Sequence, residues 1–359
     1  MAMLDKVFKV AIDLKASDVH IAPGEPFIVR SQGKIIKLKS QKLTSVHTAR
    51  IIREILSADQ QEILDERLQL DFAYEIAGLG RFRGSVMMHN NGLGAVFRVI
   101  PPRIPTLAEL GLPPVTLKIL DHHQGLILVT GGSGHGKSTT LAAIVDHLNT
   151  HRAHHILTIE DPIEFIHPLK KGVVNQRQRG RDTLSYANAL KGALRQDPDV
   201  IVIGELRDLE TMAMAISAAE TGHLVIGTLA TSSAPKTVDR VLDSFPPGEQ
   251  SQIRAMLAGS LKAVFTQRLL PGVDGTRMEL ALEILIGSLP VGNLIRDKKT
   301  FQLASLMQMG KNIGMQIMDE SILALLKAEK ISPATALANA ENRSLFSAYI
   351  PPATGANQL

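Results

Sequence analysis

The sequence contains no cysteine and no tryptophan, and aromatic residues make up only 4% of it. Without cysteine there is no disulfide framework and no thiolate metal site, and a reducing, cytoplasmic setting fits. Few aromatics leave few platforms on which nucleic-acid bases could stack. Charge of one sign is not concentrated: 39 Lys and Arg stand against 35 Asp and Glu, a formal net charge of +4. No long basic run marks an electrostatic footprint, so no nucleic-acid partner is expected. The chain also lacks the apolar run of about 18 residues that a membrane-crossing helix needs. Its first residues, MAMLDKVFKVAIDLKASD, carry acidic side chains and no small-residue cleavage site, and do not read as a signal peptide.

The remaining composition, 45% hydrophobic and 21% charged over 359 residues, is that of a globular protein with more chain than one core usually takes. Residues 1–100 read as an α+β domain. PFIVRSQGKIIKL alternates around Gly33 and suggests a hairpin, and TSVHTARIIREILSADQQEIL has helical spacing. Asn91-Gly92 is a turn signal between two strand-like runs. Prolines at 101, 102, 105, 113 and 114 then mark a linker over 101–115. From 116 to 290 short apolar runs (GLILVT, HILTIE, DVIVIGE, HLVIGTLA) alternate with helical stretches, the pattern of a mostly parallel sheet covered on both faces. Residues 291–346 look helical, and 347–359 are expected to be a disordered tail.

The sharpest feature follows GLILVT. Gly131, Gly132, Ser133, Gly134, His135, Gly136, Lys137 and Ser138 fit G-x-x-x-x-G-K-[ST], after a strand and before a helix that Thr139 continues. Glycines let backbone N–H groups curl round phosphates, and the helix N-terminus adds a favourable dipole. Lys137 is placed to reach the β- and γ-phosphates, and the Ser138 hydroxyl to bind Mg²⁺. The ring of His135 is expected to face solvent.

Such a loop needs a carboxylate centre. DVIVIGE presents Glu205 just past the end of an apolar strand, and TIEDPIE presents Glu164 beyond another. That edge of an open α/β sheet is where ligands bind, and carboxylates there hold Mg²⁺ through water or orient the attacking water. Arg207 and Asp208 fit equally a contact across a subunit boundary and a cap on the next helix. His151, His154 and His155 read as solvated surface rather than a metal site. Met307, Met309, Met315 and Met318 read as core filling.

The loop, TIEDPIEF (158–165), DPDVIVIGELRDLET (197–211) and TGHLVIGTLATSSAPKTVDR (221–240) together resemble the nucleotide-site boxes of secretion and pilus motor ATPases. KASDVHI (15–21), GLGRFRGSVM, GAVFRVIP and DESILALLKAEKISPATAL resemble the same family elsewhere, so the likeness spans about residues 4–346 and is strongest to the PilT-type retraction ATPases. The resemblance implies an α/β protein, a PAS-like N-terminal domain followed by a RecA-like ATPase domain with C-terminal helices. It implies a homo-hexamer that hydrolyses ATP with Mg²⁺ on the cytoplasmic side of the inner membrane. Its partners would be an inner-membrane platform protein and, in some settings, a paralogous motor ATPase, and its output pilus retraction and twitching motility.

Carried over by residue, the likeness makes Glu205 the Walker B base or water-positioning group and Glu164 an acidic group near Mg²⁺ and water. It makes His223 a γ-phosphate sensor, and Arg81, Arg83 and Arg98 arginines that reach ATP across a subunit boundary. By strand alternation alone, Arg81 and Arg83 are outward polar residues. Two departures stand out. The loop reads GGSGHGKST where the family usually has GPTGSGKST, and Ala230 replaces the second histidine of the usual GTLHT. The missing four-cysteine zinc insertion favours the retraction type over extension and secretion ATPases. A related type II/IV secretion ATPase, a nucleic-acid motor on a RecA-like core and a partner-dependent, weakly hydrolysing paralogue are the alternatives.

Overall fold

A computed structural model describes residues 2–349 other than 32 and 276. The chain divides into two compact units, Met1–Ile104 with Pro162–Ile166, and Pro105–Asp161 with His167–Leu359.

The first unit runs α1 (Met3–Asp13), β1 (Ala16–Ile21), β2 (Ile28–Ser31), β3 (Lys34–Lys37), α2 (Ser45–Arg53), α3 (Ala58–Arg67), β4 (Gln69–Ile76), β5 (Gly80–His89) and β6 (Gly92–Ile100). Its six strands form one sheet in the order β3-β2-β1-β6-β5-β4. The hairpins expected around Gly33 and at Asn91-Gly92 join β2 to β3 and β5 to β6. The stretch with helical spacing over 44–64 forms two helices, α2 and the start of α3. Ser57 ends the run by capping α3: its side chain accepts from Gln60 N–H while the Gln60 side chain returns to Ser57 N–H. Phe8 of α1 stacks on Phe82 (centroids 4.2 Å apart) and meets Phe97 edge-on (4.9 Å), so an aromatic cluster sits at the centre of this core.

The second unit runs α4 (Val115–Leu120), β7 (Gly125–Thr130), α5 (Lys137–His151), β8 (His155–Glu160), β9 (Val173–Gln178), α6 (Tyr186–Ala193), β10 (Val200–Ile203), α7 (Leu209–Glu220), β11 (Leu224–Leu229), α8 (Ala234–Asp243), α9 (Gln250–Ser260), β12 (Leu261–Pro271), β13 (Met278–Ile286), α10 (Leu289–Arg296), α11 (Leu303–Met309), α12 (Met318–Lys327) and α13 (Pro333–Asn339). Seven strands lie in the order β13-β12-β7-β11-β10-β8-β9, all parallel except β13, which pairs antiparallel with β12. The four apolar runs are β7, β8, β10 and β11, and every residue of β7, β10 and β11 is buried. Burial on both faces is why these strands read as continuous apolar runs rather than alternating ones.

Three details differ from expectation. Met307, Met315 and Met318 are buried, but Met309 is 74% exposed on the outer side of α11. Of the expected disordered tail, 347–349 belong to a 3₁₀ helix, Arg343–Tyr349, which the fully buried Phe346 pins down; residues 350–359 lie outside the described part. Beyond β7, β8, β10 and β11, the sheet gains β9, β12 and β13, whose polar residues hid them.

His167 precedes β9, its N–H donating to Gln176 Oε1, and its ring Nδ1 is buried without a hydrogen-bond partner. Burial pushes the imidazole down to about 4, the nearby Asp146 opposing. An unfolded chain takes up this proton near pH 6.5, the folded one only near 4. The stability His167 supports is therefore complete above 6.5 and lost as pH falls toward 4, by up to roughly 3 kcal/mol. Chemical denaturation of His167→Gln at pH 5 and pH 7.5 should show a flatter pH slope than the parent.

Candidate nucleotide site

β7 carries the chain to the carboxyl edge of the sheet and the 131–136 loop turns it into α5. Thr130, the last residue of β7, is tied by its hydroxyl to Thr266 of β12 at 2.9 Å. Gly131 then passes so close to β12 that a Cβ there would lie 2.5 Å from the Gln267 carbonyl oxygen, and its φ of +143° is one that side chains avoid. Lys137 closes the loop on itself, donating to the carbonyls of Gly131 (2.7 Å) and Gly132 (2.8 Å). These carbonyls hold the ammonium in the loop mouth. Burial lowers the Lys137 pKa from its ordinary value and the Glu205 carboxylate opposes that, which places the two charges in one field. Ser138, at the first turn of α5, is exposed.

Glu205 stands two residues past β10 and takes an ion pair from Arg207 at 2.6 Å. Arg207 gains from the same pair, its pKa raised chiefly by that hydrogen bond. Asp208 is the N-cap of α7, its carboxylate accepting from Thr211 N–H and Thr211 Oγ1, both at 2.8 Å. Within this chain, then, Asp208 caps and Arg207 holds Glu205. Glu160, which ends β8, accepts from Thr158 Oγ1 and Gln176 Nε2 on one oxygen.

Two expectations need correction. β11 runs parallel to β7 with Leu224 opposite Gly125 and Leu229 opposite Thr130. His223 therefore sits at the amino edge of the sheet, six strand steps or roughly 20 Å from the end that carries the phosphate loop. It cannot sense a γ-phosphate bound by that loop; its Nδ1 lies instead 3.3 Å from the Ala218 carbonyl at the end of α7. The position on β11's nucleotide edge is Ala230, followed by Thr231, whose hydroxyl bonds that of Thr237. The second correction is His135. Its ring is half-buried and tied back to the protein rather than free in solvent: Nδ1 accepts the Leu269 N–H of β12 at 3.0 Å. Burial, with Arg268 and Lys137 nearby, lowers its pKa.

Sequence reasoning missed the groups that brace the site from beneath. Thr228 of β11 donates to the Gly204 carbonyl, and Gln267 Nε2 donates to Thr140 Oγ1 of α5 at 2.9 Å. A Thr or a Gln in a strand carries no mark of such a contact.

The other expected residues belong to the first unit. Arg83 of β5 and Arg98 of β6 are directly opposite in register, and Arg81 is two residues from Arg83 on the same face. Three guanidiniums side by side need counterions. Arg83 Nη1 binds Glu164 Oε1 at 2.9 Å, Arg98 Nε binds Asp18 at 3.0 Å, and Arg81 holds Glu75 at 2.5 Å and the Ile163 carbonyl at 2.9 Å. Arg81 is thus no outward alternate: its side chain is 17% exposed, against 60% for Arg98. Segment 162–166 is held here through Ile163 and Glu164, beside an open cavity of about 390 Å³ lined by Glu75, Arg81, Ile100, Pro102 and Phe165 among others. Among the described residues no helix is long and apolar enough to cross a membrane.

The family described as Type II/IV secretion system protein matches residues 1–314. The chain is 47% identical over 317 residues to the type IV pilus retraction ATPase PilT of Pseudomonas aeruginosa, covering 88% of this chain and 92% of that one. It is 44% identical over 336 residues to a twitching motility protein of Neisseria gonorrhoeae, covering 94% and 90%. A crystal structure of the pilus retraction motor PilT with bound ADP aligns with a TM-score of 0.86 at 42% identity, over 96% of this chain and 98% of that one. A phosphate loop closed by its own lysine, a carboxylate in the lysine's field and these likenesses converge: the chain belongs to the Type II/IV secretion system protein family, in its PilT-type branch, and is an ATPase.

Proposed function

We propose that this ATPase is a motor for type IV pilus retraction. It would work as a homo-hexameric ring on the cytoplasmic face of the inner membrane and push on a platform protein there. What carries the reading is the phosphate loop with Lys137 drawn into its mouth, in a chain that matches a retraction motor over nearly all of its length. ATP would displace Lys137 from the Gly131 and Gly132 carbonyls onto the β- and γ-phosphates. Backbone N–H groups of 132–139 would cradle the phosphates at the α5 N-terminus.

Mg²⁺ suits the oxygen donors present, the Ser138 hydroxyl and carboxylates, because a hard cation that keeps several waters asks for few direct protein ligands. When bound it would neutralise charge between the β- and γ-phosphates. Glu205 would accept hydrogen bonds from the attacking water, and Glu164 would hold water near the metal. Arg81, Arg83 and Arg98 would reach the ATP of a neighbouring subunit and supply positive charge to its phosphoryl group, with Arg98 the most exposed of the three.

A second reading rests on Ala230. With no imidazole at the nucleotide edge of β11, the chain could be a weakly hydrolysing subunit that works beside an active paralogue. One assay separates the readings: Mg²⁺-dependent ATP hydrolysis by the purified protein, with Lys137→Ala as background. Turnover at least tenfold above that background supports the autonomous motor. Binding of ATP with turnover at background supports the partner-dependent subunit.

A further inference from the structure

We propose that His135 is a positioning residue for the nucleotide, fastening the phosphate loop to β12, and that Gly132 is present to make room for its ring. The inference rests on the loop being the ATP site and adds what holds it there.

The parallel ladder between β7 and β12 ends at Thr130 opposite Thr266. Beyond it β12 runs on to Pro271, paired on its other side with β13. Its β7-facing edge would then leave backbone groups without a strand partner, a cost in a buried place. The loop covers them in turn. Gly131 lies against the Gln267 carbonyl, and two residues on along β12 the Leu269 N–H finds the His135 ring at 3.0 Å. An imidazole nitrogen can accept that bond only while it carries no proton, so Nδ1 is the bare nitrogen and Nε2 carries the hydrogen. Leu269 Cδ1 also lies 3.5 Å from where a Cβ on Gly136 would stand, so β12 presses on the loop from the same side at its far end.

The ring reaches β12 by lying across Gly132. A Cβ on Gly132 would sit 2.8 Å from His135 Cδ2 and 3.2 Å from Nε2, closer than carbon atoms pack. The proline usual in this family at 132 would carry that Cβ, and the serine usual at 135 is too short to be struck by it. Two of the three departures in the loop, which also has Ser133 for the usual Thr, are therefore one: His135 and Gly132 replace Ser and Pro as a pair. Both patterns stiffen the loop, the usual one by a fixed φ, this one by a hydrogen bond to a neighbouring strand.

The test is MgATP affinity and turnover in the full-length protein. His135→Ala removes the acceptor and should raise KM about tenfold, with a smaller fall in kcat, because a loosened loop is re-ordered at the cost of binding. His135→Asn can present its Oδ1 where Nδ1 stood and should recover most of that loss. Gly132→Ala should weaken MgATP at least tenfold in the parent, and less than threefold in the H135S background. Equal KM for His135→Ala and His135→Asn, or the same Gly132→Ala effect in both backgrounds, would overturn the inference. Lys137→Ala is run alongside. If it still binds MgATP, the ATP-site reading itself fails; if it does not while the His135 variants behave alike, only the pairing fails. Thermal melts of each variant separate unfolding from loss of affinity.

Discussion

Glu205→Gln should cut ATP turnover by about 10²–10³-fold while leaving ATP affinity within roughly threefold of the parent. The reason is positional. β10 is four apolar residues, all buried, and its end is held by the Thr228 hydroxyl on the Gly204 carbonyl. The next side chain out is Glu205, which shares its field with Lys137 and is steadied by Arg207 at 2.6 Å. In the proposed reaction Glu205 takes hydrogen-bond donation, and then the proton, from the attacking water. An amide has the same shape but no such basicity. The proposed nucleotide-binding groups are the loop and Lys137, which the substitution leaves in place. Arg207 loses its partner, and as an exposed cation it returns to solvent at little cost. Single-turnover hydrolysis together with ADP titration checks both halves. Turnover within tenfold of the parent would remove Glu205 from the reaction and leave Glu164 as the carboxylate to test.

How much of this was legible beforehand follows from what each signal depends on. The phosphate loop is local: its glycines, lysine and serine must fall at fixed spacing whatever surrounds them, so sequence alone places it. The buried parallel strands are legible for the same kind of reason, since two covered faces force continuous apolar runs. β12 and β13 are not, because Thr266, Gln267, Arg268, Glu279 and Glu283 interrupt their apolar pattern. Each of those polar residues has a partner on another element, such as Thr130 for Thr266 and Asn339 for Arg268. His223 failed for a different reason. A histidine four residues before a glycine in a strand reads the same from either end, and only strand direction tells which edge of the sheet it occupies. His135 failed because the acceptor role of its ring depends on a backbone N–H 134 positions away.

The same polar residues yield the largest expected loss of stability. Glu283 of β13 is 6% exposed, and its carboxylate accepts from Ala234 N–H at 2.6 Å and Met318 N–H at 3.3 Å. Both donors belong to the first residue of a helix, α8 and α12. The residue before α12 is Ile317, which has no side-chain oxygen to cap it, so Glu283 does the capping from the neighbouring strand. Two helix N-termini point positive ends at one carboxylate. Glu283→Ala leaves two buried donors unpaired and a small void, and should cost about 3 kcal/mol in chemical denaturation. Glu283→Gln keeps one acceptor oxygen but turns its NH₂ toward the other donor, and should cost about half as much.

The pH dependence adds a check. Burial pushes the Glu283 carboxyl up from its ordinary 4.5, with the two N–H donors opposing. A carboxyl raised on folding stabilises most below the unfolded value and loses that share as pH rises through the folded one. The parent should therefore lose stability over that range by a slope that Glu283→Gln lacks. A loss under about 0.5 kcal/mol for Glu283→Ala, the size of an ordinary surface change, would show that the strut is dispensable. The strut joins two places in the fold: α8 begins four residues after Ala230, and Glu283 ties its N-terminus to that of α12.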